Sequence, residues 1–376
     1  GLRVVMDVVY NHTAASGQDD HSVLDKVVPG YYYRYDADGA LYNSSCCSDT
    51  ATEYAMMQKL MVDTVLRFAT EYKVDGFRFD LMNLHTKQNM LDLKAAVQAV
   101  DPDIYLYGEG WDFGSAADKG LTTCPNCYAQ KYNMTGAGIG LFNDIIRDAA
   151  HGGYSTDPTG IRRQGFINGL SYDWNGYAYG SRNQPDLWVA TDQLRSALRG
   201  SGTDWNGQGN PFTDDPQEAI NYVEKHDNET LFDQNIFKLP NGDGSGNPGW
   251  IGSGIPTTSM ADRVRSQNMG VSIVGLAQGV PFFQMGQDLL RSKSLDRNSY
   301  DSGDWFNRVY WDKSSNNFGV GLPPTWDNNS RWPIMGPLLA NAGLDPATAN
   351  MNFAASHLRE TLRLRMSSPL FRLTTE

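Results

Sequence analysis

Apolar positions in this chain cluster in short runs, and each run ends on polar side chains. Val4, Val5, Val8 and Val9 precede Asn11 and His12; Val74, Phe77 and Phe79 precede Asp80. Ile104 to Tyr107 leads to Glu109, and Ala219 to Val223 leads to His226 and Asp227. Runs of this length and β-branched or aromatic content read as buried strands. Between them the apolar spacing turns helical. Over 52–72 it falls on Met56, Leu60, Val62, Leu66 and Phe68. Over 87–100 it falls on Met90, Leu93, Ala96 and Val97, before Asp101 and Pro102 stop the helix. Further helices are expected at 143–150, 186–200, 257–276 and 351–366, the last with Leu358, Leu362 and Met366 inward and the third with Arg263 and Arg265 solvated; a strand is expected at 279–286. Strands alternating with helices form the βα units of a parallel barrel or a doubly wound sheet. Acids or His at the C-terminal ends of four strands favour a barrel with its active site at that rim.

Two long connections, 13–52 and 288–332, are rich in Tyr and Trp respectively, including Trp305, Trp311, Trp326 and Trp332. Connections of that length are often functional. At 376 residues the chain exceeds the usual single domain unless that domain is a barrel, so 1–376 reads as one partial catalytic barrel. Asp and Glu outnumber Lys and Arg by 43 to 31, a formal charge of -12, which argues against nucleic acid or an anionic membrane as partner and suits a neutral polymer. The 9 Trp and 19 Tyr supply faces for sugar rings, although core packing is the commoner use. No apolar run reaches the roughly 18 residues a membrane helix needs. The cysteines form two local pairs, Cys46 with Cys47 and Cys124 with Cys127, which read as loop disulfides or plain thiols rather than a metal site.

The chemistry is densest around Asp80. Arg78 lies two residues earlier, so on a strand both side chains point to one face, and a guanidinium beside a carboxylate favours the ionised form a nucleophile needs. One such strand is weak as a signal, because ion-paired Asp residues that cap a turn are commoner than nucleophiles. Four strand ends in order are a strong one. Asp7-Val-Val-Tyr-Asn-His12, Gly76-Phe-Arg-Phe-Asp80, the strand bearing Glu109, and His226-Asp227 resemble the four short motifs of the α-amylase superfamily. Their surroundings narrow the resemblance. Gly108-Glu-Gly-Trp-Asp112, Lys225-His-Asp-Asn-Glu-Thr230 and Arg297-Asn-Ser-Tyr-Asp-Ser-Gly-Asp-Trp-Phe-Asn307 are similar to type I pullulanases and limit dextrinases.

That resemblance implies an incomplete (β/α)8 TIM barrel holding about strands 3 to 8. It implies hydrolysis of α-1,6 links in pullulan, amylopectin and limit dextrins by double displacement. A retaining reaction uses a nucleophile and a protonated acid roughly 5–5.5 Å apart. By analogy these are Asp80 and Glu109, with Trp111 and Tyr107 helping Glu109 keep its proton by desolvation, and Asp227 stabilises the oxocarbenium-like transition state. His12 and His226 would donate to the same sugar ring and Arg78 would orient Asp80. Trp111, Tyr10, Asn11, His85, Asn298, Asp301 and Trp305 are the remaining candidate substrate contacts, with Asn11 and Asp7 equally suited to tying strand ends together. The rivals are an α-1,4-acting relative of neopullulanase or amylase type and an inactive glucan-binding fragment; loss of one carboxylate would be expected of the latter, and all three are present.

The chain opens at Gly1 directly into a strand and stops soon after Arg372, so it is expected to be an internal piece of a longer protein. Asn11-His-Thr13 and Asn228-Glu-Thr230 match the N-glycosylation pattern at predicted catalytic strand ends, which favours a bacterial source. Disulfides would favour an extracellular or periplasmic location. No cofactor is required by this chemistry. A structural Ca2+ is compatible with acidic loops such as Asp19-Asp20 or Asp243, and a monomer is expected.

Overall fold

The computed structural model describes residues 1–118, 127–158, 160–175, 184–240 and 258–375. It is an α/β protein with a parallel sheet, and it divides into two compact units, 1–142 with 212–220 and 375, and 143–211 with 221–374 and 376. In the first unit, β1 (Val5–Val8) pairs with β4 (Gly76–Phe79), β4 with β5 (Tyr105–Gly108), and β5 with β6 (Gly140–Asn143), all parallel, with β7 (Ala219–Asn221) next in order. A short antiparallel pair, β2 (His12–Thr13) with β3 (Ser48–Asp49), stands apart from that sheet.

β4 is buried along its whole length, with all four residues inside, as its apolar run predicts. β1 differs. It borders only β4 and leaves Val4, Val5 and Val9 exposed at 59%, 43% and 51%, so it is an edge strand despite its Val-rich sequence.

The helix Ala55–Glu71 buries Met57, Met61, Val65 and Ala69, a stripe four residues apart, and leaves Met56 and Leu60 exposed. Of the expected inward positions, Val62, Leu66 and Phe68 are half-buried and only Met56 and Leu60 point outward, because this helix carries apolar residues on both sides. The helix Lys87–Gln98 matches its expected inward face at Met90, Leu93 and Val97. A capping box holds its start, with the Thr86 hydroxyl accepting from Asn89 N–H.

The second unit carries the helices Asp144–His151, Gln184–Leu198, Leu231–Lys238, Met260–Leu276, Trp332–Leu339 and Thr348–Ser367. Asn143 and Gly152, the latter at φ +90°, close the two ends of the first. One core gathers Phe232, Ile236, Val264, Leu290, Leu295, Phe318 and Met335; another gathers Ile146, Ile167, Leu194, Val223 and Val274. Leu290, Leu295 and Phe318 belong to the connection 288–332, so that stretch is partly core.

Two other expectations are corrected here. Arg263 is buried, donating to the carbonyls of Asn235 and Thr258, while Arg265 stays outside. Leu362 and Met366 are exposed, and the last helix buries Met351, Ala354, Ala355, Thr361 and Arg365 instead. The strand expected at 279–286 shortens to β8 (Val280–Pro281), which Phe282 N–H continues to Asn221. Among the described residues no helix is long and apolar enough to cross a membrane.

Candidate active site

The register of the sheet assembles the site. Asp7 of β1 sits opposite Arg78 of β4, and Arg78 opposite Tyr107 of β5. The Arg78 guanidinium is 4% exposed and meets three carboxylates. Nη1 donates to Asp7 Oδ1 and Asp80 Oδ1, each at 2.9 Å, and Nη2 lies 3.0 Å from Glu109 Oε1. Burial opposes its charge, but Glu109, Asp7 and Asp80 together hold the guanidinium above its ordinary pKa. It stays charged and spans both candidate catalytic acids.

Asp80 closes β4. Its N–H donates to Val8 O at 3.0 Å, and its second oxygen, Oδ2, accepts from Asn11 Nδ2 at 3.0 Å. Asn11 is fully buried, so it positions Asp80 rather than reaching substrate, and it has no room for a glycan. The chain then turns through Leu81 at φ +37°, an unusual conformation for a non-glycine residue. That turn aims the Leu81 N–H at Glu109 Oε2, 3.0 Å away.

Glu109, 3% exposed, stands between Gly108 and Gly110. A Cβ on Gly108 would lie 2.6 Å from Phe79 O, and one on Gly110 2.6 Å from Leu141 Cδ2. Only glycines let the backbone pass here. Glu109 N–H donates to Phe79 O at 3.3 Å, and its carbonyl accepts from Asn83 N–H at 3.0 Å. Its carboxylate is thus buried against the Arg78 guanidinium.

Other predicted contacts separate by exposure. Tyr10, Trp111 and His12 are half-buried. Tyr10 packs its ring 6.3 Å from Phe79, and burial raises its hydroxyl pKa. His12 Nε2 lies 3.7 Å from Cys46 Sγ, and Cys46 and Cys47 form a disulfide with each other.

His85 is corrected: it is completely buried against the edge of Phe79, and burial with the Arg34 charge lowers its pKa to about 3. It is a neutral core side chain, not a substrate contact.

In the second unit, Asp227 is held by the ammonium of the buried Lys225, and His226 Nε2 is 3.6 Å from the same oxygen. Lys293 Nζ donates to His226 O at 3.1 Å. Asn298 is half-buried, Asp301 is exposed, and Trp305 is 66% exposed with its indole N–H on Val320 O at 2.8 Å.

Sequence reasoning missed Lys225 and Lys293, whereas the Cys46–Cys47 disulfide is one of the two states it allowed for that pair. Lys225 carried a usable signal, since its i,i+2 spacing to Asp227 repeats that of Arg78 and Asp80. Among the described residues, the one group of three side chains able to share a metal ion is His12, Cys46 and Cys47; Asp19 and Asp20 join no such group, and Asp243 lies outside the described residues.

Comparison with known proteins agrees in sequence and in backbone. Residues 313–376 match the family domain described as alpha-1,6-glucosidases, pullulanase-type, C-terminal. The chain is 41% identical over its whole length to pullulanase 1, chloroplastic, of Arabidopsis thaliana, and 38% identical over 99% of it to a pullulanase of Klebsiella pneumoniae. It spans 40% and 34% of those two relatives. A maltotriose complex of a Klebsiella pneumoniae pullulanase mutant superimposes on 99% of the chain with a TM-score of 0.86, at 36% identity, with 40% of that structure covered. Agreement of this extent, along nearly every residue and in three dimensions, leads to one conclusion: the chain belongs to the pullulanase family.

Proposed function

We propose that this chain carries the catalytic centre of a debranching glycoside hydrolase that cleaves α-1,6-glucosidic links in branched α-glucans with retention of configuration. The observation that carries the reading is the Arg78 fork, which holds Asp80 and Glu109 on neighbouring nitrogens of one planar group. A retaining enzyme uses two carboxylates roughly 5–5.5 Å apart, and one guanidinium that meets both keeps them neighbours.

In this reading Asp80 is the nucleophile. Arg78 and Asn11 occupy one oxygen each and hold it in place. Glu109 is the acid that protonates the leaving oxygen and then the base that activates water. Incoming substrate displaces water from the rim and completes the enclosure of Glu109. Asp227 takes the third role by its motif, with Lys225 fixing its carboxylate.

The parallel sheet supports the finer reading of an incomplete (β/α)8 barrel, and the disulfide supports an oxidising compartment. The test is the configuration of the first product. Proton NMR during hydrolysis of pullulan should show the α-anomer released first, with no turnover in Asp80→Asn. A β-anomer, or undiminished turnover in Asp80→Asn, would contradict the proposal.

A further inference from the structure

We infer that reduction of the Cys46–Cys47 disulfide converts the rim beside His12 into a binding site for a soft, thiophilic divalent cation. His12, Cys46 and Cys47 offer ligand atoms that all lie within 4.8 Å of one another. The His12 Nε2 atom faces Cys46 Sγ at 3.7 Å, while its Nδ1 is buried and makes no hydrogen bond. Nε2 is thus the ring nitrogen that faces the sulfurs.

The frame around the cluster is fixed from both sides. His12 pairs with Asp49 in the antiparallel ladder of β2 and β3. Asp49 Oδ1 accepts from Ser44 N–H at 3.0 Å, Oδ2 accepts from the Ser44 and Ser115 hydroxyls, and Ser16 and Ser48 bond through their hydroxyls at 2.8 Å. The cysteines thus sit in a loop tied at both ends beside His12.

Oxidised sulfurs are poor ligands, so the disulfide masks the site. A dithiol reductant opens it by exchange: its own two sulfurs join, the Cys46–Cys47 bond breaks, and two electrons and two protons arrive as two thiols. A cation then displaces those two protons and is held by two thiolates and an imidazole. Three protein ligands leave a fourth position open, and thiolates select soft ions. The consequence for hydrolysis rests on the function proposed above: a metal on Nε2 would take His12 away from the sugar ring.

The test uses Cd2+ alone, in a Cys124→Ser/Cys127→Ser background that removes the other cysteine pair. After reduction with dithiothreitol and anaerobic desalting, ultraviolet thiolate-to-cadmium absorption should rise to one equivalent per chain. It should be missing from the unreduced protein and from added Cys46→Ser/Cys47→Ser. Binding should weaken at least about tenfold in added His12→Gln. Equal absorption with and without Cys46 and Cys47, or unchanged affinity in His12→Gln, would overturn the inference. In a parallel arm, Cd2+ should slow pullulan hydrolysis only after reduction; a chain that binds Cd2+ as described yet never hydrolyses pullulan would refute the function while leaving the metal site standing.

Discussion

Arg78→Lys isolates what the guanidinium contributes beyond its charge. The wild-type side chain serves Asp7 and Asp80 from one nitrogen and Glu109 from the other. A lysine ammonium keeps the positive charge at the end of a flexible stem but has no planar fork, so it cannot hold Asp80 and Glu109 at once. The contact most exposed to loss is the one with Glu109, which lies on the separate nitrogen. That contact is an ion pair; a close charge pair contributes about 1.5 kcal/mol or more, here taken as about 1.5–3 kcal/mol, and each 1.36 kcal/mol is tenfold in rate. If that contact sets the spacing of the two acids in the transition state, kcat on pullulan should fall about 10- to 150-fold with a much smaller change in KM. The assay is steady-state release of reducing ends, beside a urea titration that reports folding separately. An Arg78→Lys protein with wild-type kcat would refute the view that the fork positions both acids. A protein that lost stability but kept kcat per folded molecule would assign Arg78 to the fold alone.

Other perturbations test the surrounding frame. Arg331 and Glu229, each 1% exposed, form a buried ion pair, so Arg331→Met should cost about 3–5 kcal/mol in urea unfolding, largely restored by adding Glu229→Gln; an unchanged midpoint would refute it. His85 has its pKa lowered to about 3, so the unfolded chain binds its proton first as pH falls from about 6.5. Stability from His85 is whole above that pH and is lost on acidification towards 3, and His85→Phe should flatten this limb by up to about 1.4 kcal/mol per pH unit. Glu224 acts in the other direction: burial raises its pKa to about 8, so its contribution is full below about 4.5 and declines as pH rises to 8. Glu224→Gln should remove that decline in unfolding midpoints measured across the range.

The strand-end carboxylates were legible in the sequence because chemistry and topology coincide there: Asp80 and Glu109 end runs that the sheet buries. Asp7 shows where legibility stops. Its role depends on the parallel register that sets it opposite Arg78, and register is a long-range property. Helix faces failed for a local reason. Met56 and Met57 are adjacent and equally apolar, and only packing decides which one turns inward. The same holds for Arg263 and Arg265, where the buried member is the one that finds carbonyl acceptors at Asn235 and Thr258. The connection 288–332 looked like an irregular aromatic loop. Its Ser292 and Lys293 instead bind Asp233, a buried carboxyl about sixty positions earlier, through the Ser292 hydroxyl and the Lys293 N–H at 2.8 Å. No local pattern announces a contact of that span.

The central claim is that Asp80, oriented by Arg78, opens α-1,6 links, and the products of pullulan test it most directly. Incubation of this chain with pullulan, beside an Asp80→Asn control, should give maltotriose as the dominant product and none in the control. Panose or isopanose would show α-1,4 cleavage, and maltotriose persisting in Asp80→Asn would remove Asp80 from the chemistry; either result would contradict the account.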